Sequence, residues 1–150
     1  MRVAGALLLL LPCVLSAGDE AAGNFSGRWN FSVQLAGGGQ ERPVIWLKQE
    51  GSVLTGRYRG PLGVLDLSGK VEPEGWLKPA SAGLTNLRRF AFYVDYGSNR
   101  NGGRALYEGA ARPDGTLEGV VEFTGDVKRR GIWTAKRDRS ALPKDSHAVR

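Results

Sequence analysis

The sequence is poor in the side chains that most often carry chemistry. It has one cysteine, Cys13, and one histidine, His147, in a chain of 150 residues. A single cysteine builds neither a disulfide framework nor a cysteine-ligated zinc site. A lone histidine near the C-terminus supplies neither a Ser-His-Asp or Cys-His arrangement nor a histidine-rich metal site. We therefore expect no metal site, no cofactor and no catalytic residues of these classes.

Only one long hydrophobic run is present, and it lies at the N-terminus. Ala4–Leu15 is apolar, Arg2 is the only charge before Asp19, and the small residues Ser16–Gly18 follow. A basic start, a short apolar stretch and small residues are typical of a secretory signal peptide, which we assign to residues 1–17. The run is shorter than the ~20 residues that a membrane-spanning helix needs. We expect a secreted or periplasmic protein without stable membrane insertion.

The position of Cys13 leaves an alternative open. A cysteine near the end of such a run can be the lipid attachment site of a bacterial lipoprotein, which would anchor the protein at Cys13. That machinery prefers a small residue before the cysteine, and Pro12 occupies this place. Plain secretion is therefore the first expectation, and the exported chain then contains no thiol.

The chain carries a modest excess of positive charge. The formal net charge is +6, and loss of Arg2 with the signal peptide leaves 20 basic against 15 acidic residues. Much of the excess lies in or beside residues 139–150, which we expect to be a basic flexible tail. The other basic residues form separate pairs rather than one stripe, so we expect no nucleic-acid binding. These pairs are Arg57 with Arg59, Arg88 with Arg89, and Arg129 with Arg130.

From Gly27 onward, apolar residues recur with period two, which indicates β-strands. Glycine-rich turns separate the runs, and no long stretch has a helical period. The pattern predicts eight strands, centred on Trp29–Leu35, Ile45–Gln49, Leu54–Tyr58, Leu65–Val71, Phe90–Tyr96, Ala105–Gly109, Leu117–Phe123 and Gly131–Ala135.

Eight strands with short connections favour a closed sheet, because closure removes the exposed edges. We predict an all-β fold, an eight-stranded antiparallel up-and-down barrel over residues 27–138, with a flexible lead-in at residues 18–26. A two-sheet β-sandwich is the alternative.

Four strand glycines share a place in this pattern, each two residues after an apolar residue: Gly56, Gly69, Gly109 and Gly119. Glycine weakens a strand and often marks a bend or a close approach, and a closing barrel requires such bends. Alternatively, the missing side chains leave room in the barrel for a ligand. Both interpretations stay open at this point.

Short motifs are similar to those of known small barrels. Gly27-Arg28-Trp29, matched by Gly131-Ile132-Trp133 on the last strand, resembles the Gly-x-Trp of lipocalins and other calycins, which bind small apolar ligands. With Leu54-Thr55-Gly56-Arg57-Tyr58 it also looks like the opening of avidins, which bind biotin. Avidins carry asparagine where this chain has Phe31, and Trp-Ser-Gly where it has Tyr107-Glu108-Gly109. The resemblance implies a calycin-like barrel without biotin binding.

The aromatic residues are the best lead to a site, because many fall on the inward phase of the predicted strands. Core filling explains this as well as a pocket does, since an eight-stranded barrel is just wide enough to be filled by side chains. In the alternative, tyrosine hydroxyls orient a small apolar or amphipathic ligand in an aromatic-lined lumen. The candidate lumen residues are Trp29, Tyr58, Phe92, Tyr96, Tyr107 and Trp133.

An up-and-down order brings the glycine-rich connections to one rim, which we expect to be the mouth of the lumen. The opposite end carries tight turns and the long connection 75–87, whose Trp76 and Leu77 are available to plug it. The connections at the expected mouth are Gly37–Gly39, Gly60–Gly63, Gly97–Gly103 and Gly125-Asp126.

The carboxylates form no close pair of the kind that glycosidases use. Glu118 and Glu122 share a strand face but lie about 13 Å apart at ~3.3 Å per residue, and they face outward. We expect a non-catalytic binding protein that holds a small ligand in the barrel lumen. The alternative is a secreted protein-interaction module with a filled lumen, acting through a basic outer patch near Arg57/Arg59 and Arg129/Arg130.

Overall fold

The computed structural model describes residues 24–72, 88–97, 102–125 and 128–141. Outside these residues lie the predicted signal peptide, the two residues Trp76 and Leu77 of the long connection, and all residues from 142 onward, including His147. Within the described ranges a short 3₁₀ helix spans Arg139–Ala141. The strands are β1 (Gly27–Leu35), β2 (Gln40–Glu41), β3 (Val44–Glu50), β4 (Val53–Gly60), β5 (Gly63–Val71), β6 (Arg89–Tyr96), β7 (Gly103–Ala111), β8 (Leu117–Thr124) and β9 (Arg129–Arg137).

The strands form one closed antiparallel sheet. From β3 to β9 each strand pairs with the next along the chain, β1 pairs with β3, and β9 returns to pair with β1 over Trp29 to Leu35. This confirms the all-β, eight-stranded antiparallel up-and-down barrel. The sandwich alternative is wrong, because the β1–β9 ladder closes the sheet. No helix among the described residues has the length and apolar character needed to span a bilayer.

The two-residue strand β2 is the one strand that the sequence pattern does not predict. Val33 pairs with Glu41 and Asn30 pairs with Val44 in the same register, so β2 continues β3 across Pro43. Proline has no N–H to donate, but the Pro43 carbonyl still accepts a hydrogen bond from the N–H of Phe31 at 3.0 Å. This extension places Glu41 opposite the buried Val33, on the inner face of the barrel.

Large aromatic side chains fill the middle of the barrel. The ring of Phe31 contacts those of Phe92, Tyr107 and Trp133, with centroids 6.2, 5.9 and 4.8 Å away. Offset and edge-to-face contacts of this kind add to the stability gained from apolar burial. The rings form one continuous core, which sets how deep into the barrel any ligand can reach.

The strand glycines lie where neighbouring chains approach closely. Gly109 pairs directly with Gly119, and the indole of Trp133 lies over both. A Cβ on Gly119 would lie 1.9 Å from a backbone oxygen of β7, and Cβ atoms on Gly56 and Gly69 would meet backbone oxygens of their neighbouring strands as closely. The space is occupied by backbone and by Trp133, so these glycines permit close approach and do not leave room for a ligand.

The segment before β1 is packed against the barrel. Phe25 is buried, with its ring centroid 4.6 Å from that of Phe90. Its N–H donates to Gln49 Oε1 at 2.9 Å, and its carbonyl accepts from Trp29 Nε1 at 2.8 Å. Residues 24–26 therefore differ from the expected flexible lead-in, because burial of a phenyl ring and these hydrogen bonds outweigh the cost of ordering the segment.

The start of the expected flexible tail is also structured. Asp138 pairs with Arg28 at 3.1 Å, and its carboxylate accepts from the N–H of Ser140 at 2.9 Å. This contact begins the 3₁₀ turn at Arg139–Ala141. The barrel thus continues into the first residues of the segment that composition alone marks as a tail.

Candidate functional site: a polar cluster in the lumen

The six predicted lumen residues do come together inside the barrel, but as packed core. Five of them are almost completely buried, and Tyr96 is partly buried at the rim. Phe92 and Tyr107 stack with their centroids 4.9 Å apart, and Tyr107 contacts Trp133 at 6.2 Å. An open lumen lined by all six side chains is therefore wrong, because these rings fill the section of the barrel that they share.

Most of these side chains have no polar atom left for a ligand. Trp29, Trp133 and Tyr96 donate to backbone carbonyls at 2.8, 2.9 and 2.7 Å, respectively. Phe92 has no polar side-chain atom. Only Tyr58 and Tyr107 keep a polar atom that is not already bonded.

The hydroxyl groups of Tyr58 and Tyr107 are buried close to each other, with the backbone of Leu62 near Tyr58, and neither makes a hydrogen bond of good geometry. An unmade bond of this kind costs about 1–3 kcal/mol. Burial raises the pKa of Tyr58 to about 12, and it raises the pKa of Tyr107 further. Both phenols are therefore neutral at physiological pH, where each can donate one hydrogen bond and accept others.

Glu41 brings a negative charge to the same place. Its Oε2 is buried without a hydrogen-bond partner, and its charge contributes to the raised pKa of both phenols. No lysine or arginine among the described residues forms an ion pair with it. Glu41, Tyr58 and Tyr107 together are called the lumenal polar cluster below.

The alternation of inward-facing residues in the sequence includes Glu41, although the predicted strand begins too late to contain it. Residues 41, 43, 45 and 47 share one phase, and Pro43, Ile45 and Leu47 are all buried. The predicted strand begins only at Ile45, two residues after Pro43, so Glu41 falls outside it. Proline is tolerated at the start of a strand, so the alternation can be carried through Pro43, and this places Glu41 inside the barrel.

The cluster lies toward the glycine-rich rim. A Cβ on Gly60 would lie 2.6 Å from the hydroxyl oxygen of Tyr58 and 2.8 Å from the Cβ of Pro43, so only glycine lets the phenol reach this end. The turn that follows carries Leu62, which is partly buried and packs against the core. Leu62 thus covers the cluster from the side that the sequence predicts as the mouth.

A concave surface lies on the outside of β7, β8 and β9, with a volume of about 910 Å³. Val120 and Ile132 are direct cross-strand neighbours on its floor and are 49% and 64% exposed. We call this surface the outer groove. Its other outward-facing side chains are Leu106, Ala110, Glu108, Glu118, Glu122, Arg130, Ser32, Gln34 and Thr134.

The predicted basic outer patch is wrong. Arg57 and Arg59 lie on β4, whereas Arg129 and Arg130 lie on β9, and both β1 and β3 separate these strands in the barrel. Neighbouring carboxylates also offset the charge: Arg57 lies 3.5 Å from Asp66, and Arg130 lies 3.7 Å from an acidic neighbour on β8. Closure of the barrel in this order keeps the two arginine pairs apart.

The outward carboxylates are engaged in surface contacts. Glu118 lies 3.1 Å from Arg112, and Glu122 lies 3.7 Å from Arg130. Within the described part of the chain, no three histidine, cysteine, aspartate or glutamate side chains come together in a way that could hold a metal ion.

Comparison with known proteins assigns no family. No family model and no curated protein matches the sequence. Among solved structures, the chain is similar to a de novo designed fluorescence-activating β-barrel, at 18% identity and a TM-score of 0.48. The match covers 79% of this chain and 97% of the designed one.

Proposed function

We propose that this chain is an exported, non-catalytic binding protein whose calycin-like barrel holds a small amphipathic ligand by its polar group at the lumenal polar cluster. The observation that carries the proposal is the burial of three polar atoms that make no hydrogen bond of good geometry, on Glu41, Tyr58 and Tyr107. Nearly all buried polar groups in native proteins are hydrogen-bonded. A ligand that bonds to all three removes the cost of leaving them unpaired.

The packed aromatic core limits the size of this ligand. Because Phe92 and Trp133 fill the barrel below the cluster, the ligand occupies the rim end and not the whole lumen. Its apolar part lies against Leu62 and Leu65, which pack on the core from the rim side. Binding at this place would displace the Leu62 side chain, which lies in the turn between β4 and β5.

The chemistry of the cluster favours binding over catalysis. A general base near neutral pH needs a pKa close to the operating pH, and burial moves the pKa of both phenols away from it. The cluster contains one carboxylate, whereas hydrolysis of a glycoside uses two.

Export is supported by the N-terminal residues alone, through the signal peptide assigned to residues 1–17.

Native mass spectrometry of the protein purified from its source tests this proposal. We expect a co-purified small molecule on the wild-type protein and its loss in the double variant Y58F/Y107F. The matched control is Y93F, because Tyr93 faces outward from β6 under the guanidinium of Arg104. Wild-type protein without bound mass, together with a crystal structure showing only water at the three atoms, would overturn the proposal.

The outer groove supports a second candidate function, a protein-interaction module that acts through the outer face. Val120 and Ile132 expose adjoining apolar surface there, with ionic side chains at the edge. An apolar centre with a polar rim is the usual anatomy of a protein interface. This function requires no free space in the lumen.

A further inference from the structure

We propose that the polar group recognised by the lumenal polar cluster is a primary ammonium, so that the ligand is a small amphipathic amine. This inference rests on the function proposed above and names the chemical class of its ligand. It is carried by Glu41, which lies on the inner face of the barrel and buries one carboxylate oxygen without a hydrogen-bond partner, and by the buried hydroxyls of Tyr58 and Tyr107.

The charge of Glu41 is the first step of the argument. A carboxylate oxygen that is buried without a counter-ion, as Glu41 Oε2 is, is costly, and an approaching cation offsets that cost. Tyr58 and Tyr107 are neutral, so they do not neutralise Glu41. An anionic ligand would add a second negative charge beside Glu41, and a neutral alcohol would leave the carboxylate uncompensated.

The number of acceptors is the second step. A primary ammonium has three N–H donors and no acceptor, and the cluster presents three buried oxygens that make no hydrogen bond of good geometry, on Glu41, Tyr58 and Tyr107. A guanidinium matches less well, because its planar fork suits paired oxygens on one group. The aromatic rings around the cluster add a favourable interaction with a cation.

The location of Glu41 is the third step. The exported chain is basic overall, which in general favours anionic partners. Near the cluster the balance is different, because the carboxylate of Glu41 adjoins the two phenols, whereas Arg129, which shares the inward phase at the same rim, is exposed. Selection for a cation therefore comes from this one side chain, and removing its charge should remove the selectivity.

Three probe ligands of equal chain length test the inference: hexylammonium, hexanol and hexanoate, each titrated into the wild-type protein by calorimetry. We expect hexylammonium to bind roughly tenfold or more tightly than hexanol, since a hydrogen bond to a charged group contributes more than a neutral one. Hexanoate should bind more weakly than either. This ranking uses the unmodified protein, so it does not depend on the folding of any variant.

Substitutions then locate the selectivity. E41Q keeps the shape of the side chain and removes its charge, and we expect the preference for hexylammonium over hexanol to disappear. Y58F and Y107F should weaken binding of both. The matched control is E50Q, because Glu50 is an exposed carboxylate on β3, the strand that continues β2, and its loss should leave the ranking unchanged.

The outcomes separate this inference from the proposed function. If hexanol or hexanoate binds as tightly as hexylammonium and Y58F still weakens binding, the cation preference is overturned while ligand binding in the lumen stands. If E41Q and E50Q alter the ranking equally, selectivity does not come from the cluster and the inference fails. If Y58F and Y107F leave all binding unchanged, both the inference and the lumenal site are wrong.

Discussion

The guanidinium of Arg137 lies over the ring of Trp29, with its central carbon 4.5 Å from the ring centroid. The same guanidinium donates to the backbone carbonyls of Ser26 and Asn24. Trp29 in turn donates to the carbonyl of Phe25. The last strand and the segment before the first strand are thus joined at the end of the barrel opposite the glycine-rich rim.

Replacement of Arg137 should weaken this closure. We expect R137A to lower the free energy of unfolding by about 2–3 kcal/mol, because it removes a cation–π contact and two charge-assisted hydrogen bonds. R137K should lose roughly half as much, since an ammonium keeps the charge but cannot fork to two carbonyls. Urea denaturation measures both changes. The control is K136A, on the exposed neighbour, and equal stability of R137A and K136A would contradict the prediction.

The buried phenols should make the protein sensitive to alkali. The folded-state pKa of Tyr58 is about 12, above the ordinary value of 10.0, and that of Tyr107 is raised further, both chiefly by burial. A raised pKa contributes stability that is fully present below pH 10 and is lost as the pH rises through the folded-state pKa. Absorbance of tyrosinate, followed together with unfolding at a series of pH values, measures this.

Substitution assigns the alkaline effect to its residues. Y58F and Y107F should each remove one late-ionising tyrosine and reduce the loss of stability above pH 10. Ionisation of Tyr58 near pH 10 in the folded protein would show that its hydroxyl is in contact with water, contrary to the structure.

Gly60 should be coupled to Tyr58. In G60A the new Cβ would lie 2.6 Å from the phenol oxygen, so we expect a loss of about 1–3 kcal/mol from overpacking. The loss should be smaller in a Y58F background, because that oxygen is gone. A double-mutant cycle measures the coupling. The control is G63A, where a Cβ meets nothing within 4 Å and only the backbone is strained. Additive effects of G60A and Y58F would refute the contact.

The second candidate function predicts that the outer groove tolerates charge without loss of stability. I132K places a lysine at a position that is 64% exposed, and V64K does the same at a position on β5 that is 59% exposed. Both should leave the free energy of unfolding within about 0.5 kcal/mol of the wild type. A protein partner that co-purifies at fixed stoichiometry should be lost in I132K and kept in V64K. Retention of the partner in I132K would exclude the groove as its binding surface.

Much of the fold could be predicted from local pattern. The alternation at Trp29, Phe31, Val33 and Leu35 places all four side chains on one face, because side chains point to opposite faces at successive positions of a strand. The same rule, applied to β4 and β7, places Tyr58 and Tyr107 inside. The sequence pattern does not predict the extension at Glu41, because Pro43 interrupts the hydrogen-bonded ladder while leaving the alternation intact.

The candidate site could be predicted only in part. The inward phase of Tyr58, Tyr107 and Trp133 follows from sequence, but the fate of their polar atoms does not. Trp133 Nε1 donates to a backbone carbonyl of β8, whereas the two phenol hydroxyls adjoin each other without a hydrogen bond of good geometry. Such contacts depend on which backbone group lies within reach of each ring, and this is fixed by strand register and packing.

The sequence by itself therefore determined which side chains enter the barrel, through a period of two that any strand must obey. The tertiary structure decided which of them meet there. Tyr58 and Glu41 lie on neighbouring walls, and Tyr107 lies on β7, reached only through the closed order of strands. Their proximity depends on the register of each strand pair and on the closure of β9 on β1. These features are non-local, so they cannot be recognised in any short stretch of sequence.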